Sequence, residues 1–314
     1  MRTIASSGPL FAAGGQTVEL ERRGRRIVSM PTAYHVDAGN RARDVVVTAS
    51  YLGVWPARVM APHRPRAIIG VDCGIGYDGA GIAGLWFLEA LGIPAVAAAV
   101  AGVELMNGAD VLCNGIVSRR NAAAAACGVA EGMTIADAAL LLLGREPRGP
   151  ADGEDADDAA QCGHAGPRGH ADDAERAVVA EHPSGRAVVC LSTIALAQPQ
   201  DRGRNVLCTG GFAGPPNIRR AAPYGFVCSD GGRGRGDSGL AGLAIGIPGA
   251  TVDVMTARLG DGRSTWEDGV ISACNELAAA RGVRVGQAAR DAAWLLAAGP
   301  SPAPARGAPS ASDG

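Results

Sequence analysis

Short apolar runs of four to seven residues alternate along this chain with longer stretches whose apolar positions recur every three or four residues. "RRIVSM" from Arg25 and "DVVVTA" from Asp44 are β-branched runs, and "RAIIGVD" from Arg66 is apolar almost throughout. Such continuous runs predict strands buried on both faces. The spacing in "AGIAGLWFLEALG" predicts a helix from about Ala80 that stops at Gly92. "IPAVAAAVAG" reads as the next strand, followed by a loop and a helix around "VLCNGIVSRRNAAAAACG". "TIADAALLLLG" reads as a last helix with Thr134 as its N-cap.

The order then repeats. "GRAVVCLSTI", "NVLCTGGFAG", "YGFVCSD", "SGLAGLAIG", "IPGATVDVMTA" and "WEDGVISACNELAAARG" answer the first series. Residues 72–85 and 230–243 agree at seven of fourteen positions. The offset is 158 at this glycine loop, 154 from Gly92 against Gly246, and 150 if Thr134 is set against Arg284. On that alignment the second copy lacks four residues after Leu243 and four more later. Four residues is about one helical turn of ~3.6, so each deletion is expected to shorten a helix and keep its buried face.

Strand–helix alternation, twice over, predicts an α/β protein. It is expected to hold two tandem-duplicated, parallel-sheet (βαβαβα-like) units packed with pseudo-twofold symmetry. The expected division is a first repeat over residues 1–144, a flexible acidic linker over 145–176, a second repeat over 177–298 and a disordered tail over 299–314. The linker and tail are rich in Asp, Gly, Ala, Pro and Ser and almost empty of large apolar residues.

Composition removes several classes. The chain of 314 residues is 47% hydrophobic with net charge −2, and only 4% of it is aromatic. A nucleic-acid binder needs a basic face or stacking platforms, so no nucleic-acid partner is expected. No run approaches the ~20 apolar residues of a membrane span, and the N-terminus lacks a signal-peptide core, so the expectation is a cytoplasmic protein without a membrane partner. All 29 basic residues are arginine, which excludes Schiff-base chemistry, Ser–Lys dyads and GK[ST] phosphate loops. The eight cysteines form no CxxC pair and read as reduced thiols. Cys162, His164 and His170 lie in the low-complexity linker and read as an accident of composition. No metal and no cofactor is expected.

In an open parallel sheet, ligands gather at the carboxyl ends of strands. The glycine loop follows a strand in both copies, after Asp72 and after Asp230. In the second copy, "GGRGRGDSG" carries Arg233, Arg235 and Ser238 among free backbone amides, a setting suited to a carboxylate or phosphate. "TARLGDGRSTWEDG" adds Arg258, Asp261 and Arg263, with Ser264 or Thr265 as helix cap. The first copy has Asn107 where the second has Asp261 and has lost most of the charge. The second repeat is therefore expected to carry the active loop.

Candidate catalytic groups are Asp230, Asp261, Cys73 at the loop turn and Ser50 in "TASYLG". Arg233, Arg235, Ser238, Arg258, Arg263 and Asp72 are the candidate substrate contacts. No GxSxG hydrolase motif is present.

The "TASYLG", "DCGIGYDGAGIA" and "ARLGDG" loops resemble those of an uncharacterised bacterial family of tandem-repeat α/β proteins. Its members carry a serine–histidine pair at the first of these loops, where this chain has Ser50-Tyr51 and Gly211-Phe212. The resemblance implies no established activity. The expectation for function is a soluble hydrolase or lyase acting on a small carboxylated or amide-containing metabolite in the cleft between the repeats, as a homo-oligomer if it assembles. The alternative is a non-catalytic anion-binding or assembly protein using the same cleft.

Overall fold

The computed structural model describes residues 15–144 and 176–299. The acidic linker, with Cys162, His164 and His170, and the C-terminal tail lie outside the described residues, apart from Arg176 and Gly299.

Two six-stranded sheets carry the fold, each with its strands in simple sequential order. The first holds β1 (Thr17–Arg22), β2 (Arg25–Met30), β3 (Asp44–Tyr51), β4 (Ala67–Val71), β5 (Ala95–Ala98) and β6 (Val117–Arg120). The second holds β7 (Arg176–Glu181), β8 (Ala187–Leu191), β9 (Val206–Thr209), β10 (Gly225–Ser229), β11 (Gly249–Val252) and β12 (Ile271–Cys274). The four inner strands of each sheet are parallel and both outer strands pair antiparallel. The duplicated α/β architecture is thus present, as two mixed sheets. The edge strands of the first sheet lack apolar runs, since β1 is exposed over most of its length and β6 reads "VSRR". Half of each edge faces water, so nothing selects a buried pattern there.

The first half adds α1 (Val54–Met60), α2 (Gly84–Ala90), α3 (Gly108–Asn114), α4 (Ala122–Ala125) and α5 (Ile135–Gly144). The second adds α6 (Pro215–Ala221), α7 (Gly262–Glu267), α8 (Glu276–Ala279) and α9 (Ala289–Ala298). Successive parallel strands step one way, so crossovers of one hand must share a face. Leu52, Met60, Ile82, Leu85 and Leu88 from those crossovers bury against Val28, Val46 and Ile68. On the opposite face, Val111 of α3 and Ile135 and Leu142 of α5 pack on Val45, Val47 and Ile69. The second half repeats this, with Ala292 and Leu296 of α9 on one face and Ile218 of α6 on the other.

The structure corrects the alignment in two places. After the glycine loop the first half forms α2, whereas residues Arg235–Ala244 form only 3-10 turns before the chain enters Ile247 and β11. The four-residue deletion removes the helix instead of shortening it. The proposed later deletion does not exist: α5 and α9 are both ten residues long, at offset 154. Each is pinned at its first residue by an equivalent bond, Ile135 N–H to Gly115 O and Ala289 N–H to Gly269 O. Thr134 caps α5 as expected, accepting from the Asp137 N–H at 3.1 Å.

Candidate functional site

Asp72 and Asp230 stand one residue past the ends of β4 and β10, and they do the same work. The Asp72 Oδ1 accepts the N–H groups of Gly74 and Val100, both at 2.9 Å. The Asp230 Oδ1 accepts those of Gly232 at 3.0 Å and Val254 at 3.2 Å. Each aspartate closes its glycine loop and ties that loop to the end of the neighbouring strand. Both are buried, at 6% and 3% exposure.

The carboxyl ends of the two sheets face each other, and their loops interleave. The Tyr77 N–H donates to Val254 O at 2.9 Å, and the Arg235 N–H donates to Val103 O at 2.8 Å, so each half completes the other's loop. Val254 and Leu259 of the second half lie within the apolar cluster of the first. A Cβ at Gly232 would stand 2.9 Å from the Cys73 backbone, so glycine is required for this approach. Arg235 pairs with Asp110 and Arg258 with Asp78, each across the junction. The Ser238 Oγ accepts the Leu105 N–H at 2.9 Å.

These contacts occupy many of the candidates. Asp261 is the N-cap of α7, accepting from the N–H groups of Arg263 and Ser264, and Asn107 caps α3 in the same way. The cap is therefore Asp261, not Ser264 or Thr265. Arg233 forms an exposed pair with Asp237, four residues on. The Ser50 Oγ accepts the Ala33 N–H at 2.9 Å. Cys73 is fully buried, and burial, helped by Asp72 and Asp230, pushes its thiol well above the ordinary range. A buried neutral thiol is a poor nucleophile.

One constellation distinguishes the second half. Burial, augmented by the nearby Asp253 carboxylate, raises the Asp230 carboxyl above the usual aspartate range, although hydrogen bonds from Gly232, Ser272 and Val254 oppose the rise. The Ser272 Oγ lies 3.1 Å from the Thr251 Oγ1. At the corresponding first-half positions stand Asp72, Ala99, Ser118 and Ala97, so a second carboxyl and a second hydroxyl are peculiar to the second half. Asp253 and Ser272 remain partly open to solvent. The sequence reading missed Asp253, Ser272 and Thr251. For Asp253 and Thr251 the available signal was polar replacement of alanine at a strand end in one repeat only; Ser272, matched by Ser118, gave none.

A groove of about 740 Å³ also opens at the junction, lined among others by Glu104, Met106, Asn107, Arg235, Asp237 and Ser238. Asp230 is not among its lining residues. Among the described residues, no three His, Cys, Asp or Glu side chains gather as metal ligands would, and no helix is long and apolar enough to cross a membrane. No protein-family model, curated protein or solved structure matches the chain. The family resemblance of the loops therefore rests on their quoted residues alone.

Proposed function

We propose that the protein is a hydrolase or lyase for a small carboxylated or amide-containing metabolite, with acid–base chemistry at Asp230 and Asp253. The carrying observation is the raised proton affinity of Asp230 beside a second carboxyl, at the carboxyl end of a parallel strand. Two carboxyls whose surroundings separate their proton affinities divide into a proton donor and a proton acceptor. Arg233, Arg235 and Arg258 carry forked donors for a substrate carboxylate, which would exchange with their present partners Asp237, Asp110 and Asp78.

The test begins with a thermal-shift screen of small dicarboxylates, amides and lactams, followed by product analysis for each compound that binds. Asp230→Asn keeps the Oδ1 acceptor for both backbone N–H groups but cannot exchange a proton. Turnover is expected to fall by about 10²–10⁴-fold, the usual worth of a general acid or base, with binding retained. Full turnover in Asp230→Asn would overturn the proposal.

The junction groove supports a second reading, a protein that binds a small anion without transforming it. It would hold such a ligand through Arg235, Asn107 and Ser238, beside the carboxylates of Glu104 and Asp237. Under that reading every binding compound is recovered unchanged, and Arg235→Gln weakens binding while Asp230→Asn does not.

A further inference from the structure

The second half carries a pocket that the first half has filled. It encloses about 300 Å³ between the segment 194–202 and α6, with Ile194, Ala195 and Ala221 on its apolar wall and Arg202, Arg220 and Asn217 as polar lining. Arg202 precedes β9 and Arg220 precedes β10, so the pocket lies toward the strand starts, at the opposite end of β10 from Asp230.

Comparison of the halves shows how it arose. Gly53 and Gly214 cap α1 and α6 equivalently, and Arg64 and Ala222 end them in matching left-handed conformations. Between these fixed points the first half has ten residues, 54–63, and the second has seven, 215–221. The three extra residues form a 3-10 turn, Ala61–His63, after α1. His63 of that turn is partly buried and feels the Asp37 carboxylate, and Asp37 corresponds to Gln198 of the pocket. Tyr34 stands where Ala195 stands, and its hydroxyl accepts the Trp55 Nε1–H at 2.7 Å. Met60, fully buried, stands where Ala221 stands. The second half lacks this turn and carries two smaller side chains, Ala195 and Ala221, where the first half fills the volume.

The electrostatics of the pocket are one-sided. Among the described residues no carboxylate lines it, and neither Arg202 nor Arg220 takes part in an ion pair. The Arg202 Nη1 donates to the Arg220 backbone O at 3.3 Å, which holds its guanidinium beside the pocket. Asp201, next in sequence to Arg202, is buried and bonded to Arg176 and Asn205. Two forked cations with no counter-ion among the described residues, over an apolar wall, match an organic anion with a small apolar body.

We propose that this pocket is a binding site for such an anion, a carboxylate or phosphate on a short apolar group, separate from the acid–base centre. The test titrates the full-length chain calorimetrically with benzoate and with phenyl phosphate, and with benzyl alcohol as the uncharged control. Saturable binding of one benzoate or phenyl phosphate per chain is expected, at least about tenfold tighter than benzyl alcohol, and the tighter of the two anions names the headgroup. Arg202→Gln and Arg220→Gln should each weaken it by about tenfold. Ala195→Tyr, which imports the first-half residue, should abolish it without changing the thermal midpoint. If that variant unfolds, Ala221→Met is the second blocking change. Absence of saturable binding of both anions, or binding undiminished in the Arg202→Gln/Arg220→Gln double variant, overturns the proposal. Asp230→Asn should leave anion binding here unaltered, so either proposal can fail alone.

Discussion

The two halves solve one buried polar problem with the same residues in exchanged places. In the first, Asn40 donates to Asp44 at 2.8 Å, and Gln16 bonds to Asn40. In the second, Asn205 donates to Asp201 at 2.9 Å, and Arg176 pairs with Asp201. Residue 40 corresponds to 201, 44 to 205 and 16 to 176. Where the outer residue is an amide, the inner carboxyl lies at the far position and takes Arg26 and Arg43 as partners. Where it is arginine, the carboxyl moves next to it. Both aspartates are fully buried, so the charge must travel with its partner. Duplicated frames drift by compensated exchanges, and an uncompensated change such as Asp253 for Ala99 stands out against that background.

The largest effect that would test this comparison is at Asp44. Burial alone would raise its proton affinity, but hydrogen bonds from Arg26 and Asn40 outweigh that and hold it below the usual range. Asp44→Ala takes the buried carboxylate from Arg26 and, among the described residues, leaves Arg43 only its bond to the Gly39 carbonyl. It is expected to cost about 3–5 kcal/mol in denaturant unfolding. Converting the first half to the second half's arrangement, with Gln16→Arg, Asn40→Asp and Asp44→Asn together, should lose much less than the sum of the single changes. A purely additive loss would show that the exchange is not compensatory.

Next in size is Gly260. Its φ is +84°, and a Cβ there would stand 2.6 Å from the Tyr51 hydroxyl. Gly260→Ala should cost about 1–3 kcal/mol by thermal unfolding, and adding Tyr51→Phe should restore part of it. Met106, at the corresponding first-half position, already bears a side chain at φ 68° where Phe212 replaces Tyr51.

Asp230 should reveal itself through pH. A carboxyl whose proton affinity is raised on folding makes the native state take up protons. The contribution of Asp230 to stability is then fully present below the ordinary aspartate range and is lost as pH rises through the raised value. Asp230→Asn should flatten that decline in midpoints measured from pH 3 to 8, roughly the window in which carboxyls titrate. An unchanged slope would place the Asp230 charge in an ordinary environment.

The smallest expected effect is Tyr51→Phe alone. Among the described residues its buried hydroxyl has no hydrogen-bond partner. Its removal should stabilise the protein by about 1 kcal/mol, read from the denaturation midpoint.

The inner strands were legible because burial on both faces forces runs such as "AIIGV" and "GFVCS". The duplication was legible because Asp72 and Asp230 are held by equivalent bonds. The edge strands were not, since solvent relaxes their pattern, and neither was the loss of α2 in the second copy. There "SGLAGLAIG" keeps a helix-like apolar spacing but is too short to close regular turns before β11. Site residues read from loop charge were drawn to Arg233, Arg258 and Asp261, which the fold uses for surface pairs and a helix cap. Asp230, Asp253 and Ser272 meet from three separate strand ends and form no local motif; only the comparison of the repeats, Asp253 against Ala99, marks one of them.

The interleaved loops carry one more consequence, for the history of the chain. Had the two halves been separate copies of one polypeptide, every change beside the axis would have been made twice, facing itself. Tyr51 against Gly260 on one side, with Phe212 and Met106 at the matching places, is an unequal pairing that a true homodimer cannot hold. Joining the copies lifted that constraint. Each repeat can then hold what the other does not: a carboxyl at Asp253, a helix at Gly84–Ala90, or an open pocket beside Ala195.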